Sequence, residues 1–125
     1  MGVRGKQVRF EFVSADATVA AVVSMFDSNG VALTMGAKQV LSIQSVSMRA
    51  AGALVSIILF DDKNADGVVD AGERLWETAS TAANDHESAE FPGEGQMGGV
   101  GRLPKVQTSA AGAIRLTGMG YLIDA

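Results

Sequence analysis

The chain has 125 residues, a net charge of −4, 47% hydrophobic residues and no cysteine. That is the length of one domain with enough apolar material to bury a core, so a disordered tail is excluded. Disulfide scaffolding, thiolate catalysis and thiolate metal sites are excluded with the cysteines.

The charge is concentrated in one place. Asp61, Asp62, Asp66, Asp70 and Glu73 are opposed within their own segment only by Lys63, which leaves −4 there. The remainder holds nine acids and nine bases, which cancel. A neutral body with one acidic cluster argues against a nucleic-acid groove, which needs a basic stripe. The cluster calls for a cation. The opening residues MGVRGKQVRFEF carry no apolar stretch or small-residue cleavage site, so no secretory signal is expected. Lys6 stands where a myristoylation pattern needs Ser or Thr. No apolar run approaches the ~20 residues of a membrane span, so no membrane association is expected.

In chain order, the dominant period is two. Val8, Phe10 and Phe12 alternate with Arg9 and Glu11, as in a half-buried strand. Residues 18–26 are Val-rich and predict one strand, closed by an Asp27-Ser28-Asn29-Gly30 turn with residues 31–35 continuing beyond it. Residues 40–48 alternate again, imperfectly. Ala50-Ala51-Gly52 turns the chain into residues 54–60, whose β-branched content predicts a buried strand. Arg74-Leu75-Trp76-Glu77-Thr78 reads as the return strand, with Trp76 a core anchor.

Residues 81–90 are polar and Ala-rich, a loop or one helical turn. Residues 92–104 hold both prolines and a run of glycines, and predict an extended loop or arm that packs on a neighbouring subunit. In the last stretch, Ile114, Leu116 and Leu122 face one way and Arg115, Thr117 and Tyr121 the other. Gly118 and Gly120 interrupt it and imply a bulge or a close backbone approach. Arg49-Ala-Ala-Gly-Ala-Leu54 echoes Ser109-Ala-Ala-Gly-Ala-Ile114, either as two equivalent turns or by chance. The expected fold is all-β: a single-domain, jelly-roll-like antiparallel β-sandwich over residues 1–125, with residues 1–6 as a flexible N-terminal arm.

Residues 62–73 carry the chemistry. Asp62, Asn64, Asp66 and Asp70 put oxygen-bearing side chains at the first, third, fifth and ninth places of a calcium loop. Gly67 occupies the sixth, where the backbone turns sharply. Val68 can offer its carbonyl at the seventh, Val69 can dock on the core, and Glu73 can close the site with two oxygens at the twelfth. The expected cofactor is one structural Ca2+. The loop resembles an EF-hand loop, but the entering segment is a strand by composition and no second loop exists. It is more similar to the D-x-N-x-D-G-x-x-D-x-G-E turns between strands of extracellular repeat modules and viral surface proteins.

Other signals are weaker. Gly93, Gly95 and Gly98 match a dinucleotide turn but follow no βαβ start. His86, the single histidine, lies in a polar stretch without a nucleophile. Arg4, Lys6 and Arg9 form a small basic cluster at the N-terminus. The six methionines read as core fillers. An enzyme is not expected, because paired carboxylates are absent outside the loop.

The whole chain resembles the small, cysteine-free, Ala/Gly/Val-rich β-sandwich capsid decoration (cement) proteins of tailed bacteriophages. The short strands, the Gly-rich stretch 93–101 and the closing strand 114–123 carry that resemblance. It implies a homotrimer on the virion capsid surface, produced in the host cytoplasm and bridging subunits of the major capsid protein, with no nucleic-acid or membrane partner. A secreted, calcium-stabilised adhesive or carbohydrate-binding β-module is the alternative.

Overall fold

The computed structural model describes residues 5–14, 20–50, 56–79, 85–93, 95–109 and 114–124, and every regular element among them is a strand. They are β1 (Lys6–Ser14), β2 (Ala21–Val22), β3 (Ser24–Asp27), β4 (Ala32–Leu33), β5 (Gln39–Ala50), β6 (Ser56–Phe60), β7 (Arg74–Ala79), β8 (Asp85–Glu90), β9 (Gln96–Met97), β10 (Lys105–Thr108) and β11 (Ile114–Asp124). The larger sheet runs β4-β3-β1-β11-β5-β8, with β9 also paired to β5; the smaller runs β2-β10-β6-β7. All pairings are antiparallel. The all-β sandwich expected from the sequence is therefore present. The strand order does not by itself make it a jelly roll.

One core lies between the sheets. β1 contributes Val8 and Phe10, β5 contributes Leu41, Ile43, Val46 and Met48, and β11 contributes Ile114, Leu116 and Leu122; Ile57, Leu59 and Val106 meet them from the smaller sheet. Trp76 packs on the edge of this core, as an anchor should.

The imperfect alternation of β5 has a structural cause. Along the β5–β11 ladder, Met119 pairs with Ser45 but Gly120 pairs with Ile43, so Gln44 is left out of register. The bulge switches the strand's parity, which lets Leu41 and Ile43 on one side of it and Val46 and Met48 on the other all reach the core. The glycines of β11 belong to the same region. A Cβ on Gly118 would run into the Phe10 ring, and one on Gly120 into the Ser42 carbonyl. Both are close approaches, as their interruption of the alternation implied.

Four expectations need correction or limitation. The single strand expected over residues 18–26 is two in its described part, from residue 20 on: β2 joins the smaller sheet and β3 the larger, with Val23 buried between them. Residues 85–90 are not a loop or helical turn; they pair with β5 as edge strand β8. Residues 92–104 are not a free arm, because β9 lies within them and they bond to their own sheet. Gly98 N–H donates to the Leu41 carbonyl at 2.9 Å and Gly101 N–H to that of Gln39 at 2.7 Å. Lys6 already belongs to β1, opposite Leu122, so the last residue of the expected 1–6 arm is held. Residues 1–4, including Arg4, residues 18–19 and 81–84 of the expected segments, and residues 51–54 and 110–113 of the echoed pair lie outside the described residues.

Candidate metal centre

The acidic segment joins β6 to β7 as a hairpin loop. Phe60, fully buried at the end of β6, pairs with Arg74 at the start of β7, and Asp61 N–H donates to the Glu73 carbonyl at 2.8 Å. The neck of the loop is thus fixed by two strands, not by two helices, as the apolar entering segment predicts.

Inside the loop, carboxylates gather the backbone. Asp62 accepts the N–H of Asp66 on Oδ1 at 3.2 Å and that of Gly67 on Oδ2 at 2.8 Å. Glu73 reaches back from the other end, accepting Lys63 N–H on Oε2 at 2.9 Å and Asp70 N–H on Oε1 at 2.8 Å. Asp66 Oδ1 accepts Val68 N–H at 2.9 Å. Asn64 Nδ2 donates to Asp70 Oδ2 at 3.2 Å. Gly67 adopts φ +73°, the left-handed conformation that the sixth position requires, and Ala65, two residues earlier, is left-handed as well at φ 56°. Asp62 and Glu73 are each only 3% exposed, whereas Asn64, Asp66 and Val68 are exposed and Val69 and Asp70 are half-buried.

Two cations that the loop's own spacing does not reveal come from a distant segment. Arg102 forks onto Asp61, Nε to Oδ1 at 2.9 Å and Nη2 to Oδ2 at 3.0 Å. Lys105 Nζ lies 2.7 Å from Asp62 Oδ2. They sit 41 and 43 positions away in sequence from their partners. The available signal was that they are the only charged residues between positions 95 and 109. The remaining carboxylates still repel. The Asn64 hydrogen bond pulls the Asp70 carboxyl down, but partial desolvation and the Asp66 and Glu73 carboxylates outweigh it and leave it above the ordinary aspartate range.

Among the described residues, no three acidic or histidine side chains converge as a ready-made metal cluster. The donor set nonetheless fits calcium in kind and order: hard oxygens from Asp62, Asn64, Asp66, the Val68 carbonyl, Asp70 and Glu73, in one loop. These residues would hold the ion, with the Asp62 carboxylate divided between it and Lys105.

The glycines Gly93, Gly95 and Gly98 serve β9 and its bonds to β5, which removes the dinucleotide reading. His86 stands exposed on edge strand β8. A scan against protein-family models, a search of curated proteins and a search of solved structures each returned no significant match. Fold and site together define the class: a two-sheet antiparallel β-protein with an acidic, strand-flanked hairpin loop.

Proposed function

We propose that this protein is a non-catalytic structural module, a capsid decoration protein whose β6–β7 loop carries a structural Ca2+. The observation that carries the calcium part is the arrangement of Asp62 and Glu73. The first and twelfth residues of the loop are buried carboxylates that draw the intervening backbone inward. The loop is already closed at both ends by these contacts, and an ion bound only to the folded state would add its binding free energy to stability. The chain's own residues close the hairpin, order the loop and neutralise Asp61 and Asp62; a bound ion would supply the counter-charge that Asp66 and Asp70 lack.

The decoration role rests on the resemblance in size, composition and β-architecture. In it the protein works mechanically, as a trimer that adds buried area across joints between shell subunits. With residues 92–104 bonded to the protein's own sheet, the bridge falls to the sheet faces and the N-terminal residues. The adhesive reading has one supporting feature. Two adjoining depressions on the outer face of the larger sheet are lined by Phe26, Glu90, Phe91, Met119 and Tyr121, side chains of the kind that stack on and hydrogen-bond to sugars.

The test is thermal melting and solution mass in calcium and in chelator, for wild type and Asp66→Ala. Calcium is expected to raise the wild-type melting temperature and to do so less for the variant, with a trimer in solution. Identical melting of both proteins under both conditions removes the metal site, and a monomer throughout removes the trimeric decoration reading.

A further inference from the structure

The outer face of the larger sheet holds a pair of like charges in direct opposition. Arg115 on β11 is the cross-strand partner of Arg49 on β5, and His86 on β8 is next in the same row. Directly opposed side chains in antiparallel strands stand about 5 Å apart at the Cα, so two guanidiniums placed this way repel. Both arginines are exposed, and among the described residues neither has a hydrogen bond or an ion pair. By contrast, Arg102 and Lys105 are each placed on a buried carboxylate, and no other described cross-strand pair sets two arginines against each other. A local rule broken without internal compensation marks a place where a ligand supplies it.

The neighbouring row adds donors. Thr117 is opposite Ser47, and their hydroxyls lie 3.1 Å apart. One hydroxyl donates to the other, which leaves one hydroxyl hydrogen for an external acceptor. Two forked guanidiniums beside a hydroxyl pair suit an oxyanion, and a planar carboxylate matches the fork.

We infer that Arg49 and Arg115, with Ser47 and Thr117, form a docking point for carboxylate side chains of an acidic segment in a partner protein. Charge distribution selects that occupant over a nucleic acid. Only one row opposes two cations; the next row carries Glu11 opposite Thr117, and the row beyond it carries Arg9 opposite Met119 and Glu90 opposite Ser45, so the face is mixed in charge and not a basic stripe. A phosphate chain laid across the face would meet those carboxylates; a short acidic protein segment need not. The docking point is also separate from the calcium loop. It lies where β5 ends and β6 begins, whereas the loop follows the far end of β6. The inference goes beyond the calcium reading and does not depend on it.

The experiment uses the full chain and a fluorescently labelled deca-glutamate peptide at low ionic strength, with a single-stranded oligonucleotide of equal charge as comparison. Wild type is expected to bind the peptide, in calcium and in chelator alike. The Arg49→Ala/Arg115→Ala double variant is expected to bind about ten-fold more weakly, the size of two exposed charge pairs lost together. Arg115→Glu guards against a folding artefact, because it places an acid opposite Arg49. It is expected to melt at or above the wild-type temperature while losing peptide binding. Undiminished binding by either variant, absence of binding by wild type, or tighter binding of the oligonucleotide overturns the inference. Loss of binding in chelator would tie it to the loop and overturn its independence, whereas failure of the calcium test alone leaves it standing.

Discussion

Lys105 Nζ lies 2.7 Å from Asp62 Oδ2, so the ammonium of a β10 lysine occupies one oxygen of the loop's first carboxylate. Asp62 is 3% exposed, and its carboxyl is held below the ordinary aspartate value of 3.8, first by the Lys105 hydrogen bond and then by the Gly67 N–H, against the opposing effect of burial. A carboxyl with a lowered folded pKa contributes stability that is present above its unfolded value and lost as pH falls through the folded one. Lys105→Met should therefore lower the melting temperature at neutral pH in chelator, on the order of 4 °C for a domain of this size. The gap between variant and wild type should close once the pH is well below 3.8. Calcium should narrow it too, because the ion replaces the missing cation. Equal melting of the two proteins at neutral pH in chelator would show that the lysine does not support the loop.

Asp70 behaves with the opposite sign. Its raised carboxyl pKa means that folding disfavours its charge, so the repulsion grows as pH rises past the ordinary aspartate value and persists at neutral pH. Asp70→Asn should accordingly melt at or above wild type in chelator, and below wild type in calcium, where it has lost a ligand charge. Differential scanning calorimetry in both buffers reads the crossover. A variant that stays above wild type in calcium would remove Asp70 from the ligand set.

Much of this fold was legible because period two is a local property. The alternation of Val8 with Arg9 and Phe10 with Glu11, and that of residues 114–122, reports which face of a strand is buried without reference to its partner. The hairpin and its candidate oxygen donors were legible for the same reason, since their order is contained in twelve consecutive residues. What escaped is non-local. Nothing near Asp61 or Asp62 announces Arg102 and Lys105, and nothing in residues 85–90 announces that β5 offers them an edge to pair with. The split of residues 21–27 between two sheets turns on Val23, which looks like any other strand valine until Pro104 is seen accepting its N–H at 3.1 Å.

Gly118 provides a test of the packing. It lies on the buried face of β11 beneath the Phe10 ring, which occupies the space a side chain would need. Gly118→Ala should cost about 1–3 kcal/mol through overpacking. Phe10→Leu in the same chain should recover part of that loss, because the smaller side chain vacates the contact. Chemical denaturation of the two single variants and the double variant measures the coupling. Additive losses would mean that the two residues do not share that space.

Gln44 tests the bulge. Replacing it by Ala keeps the extra residue, and its backbone carbonyl still accepts Phe91 N–H at 2.8 Å, so only a small change is expected. Deleting it removes the parity switch. If the ladder to β11 then holds on the Val46 side, Leu41 and Ile43 rotate onto the solvent face. If it holds on the Leu41 side, Val46 and Met48 rotate out instead. Either choice forfeits two core side chains at about 1.5–3 kcal/mol each. That is a large share of the roughly 5–15 kcal/mol that holds a typical domain together. The deletion variant should therefore be mostly unfolded or strongly destabilised by circular dichroism, while Gln44→Ala melts near wild type. A deletion variant with wild-type melting would mean that β5 tolerates either register, and that its broken alternation carries no structural information.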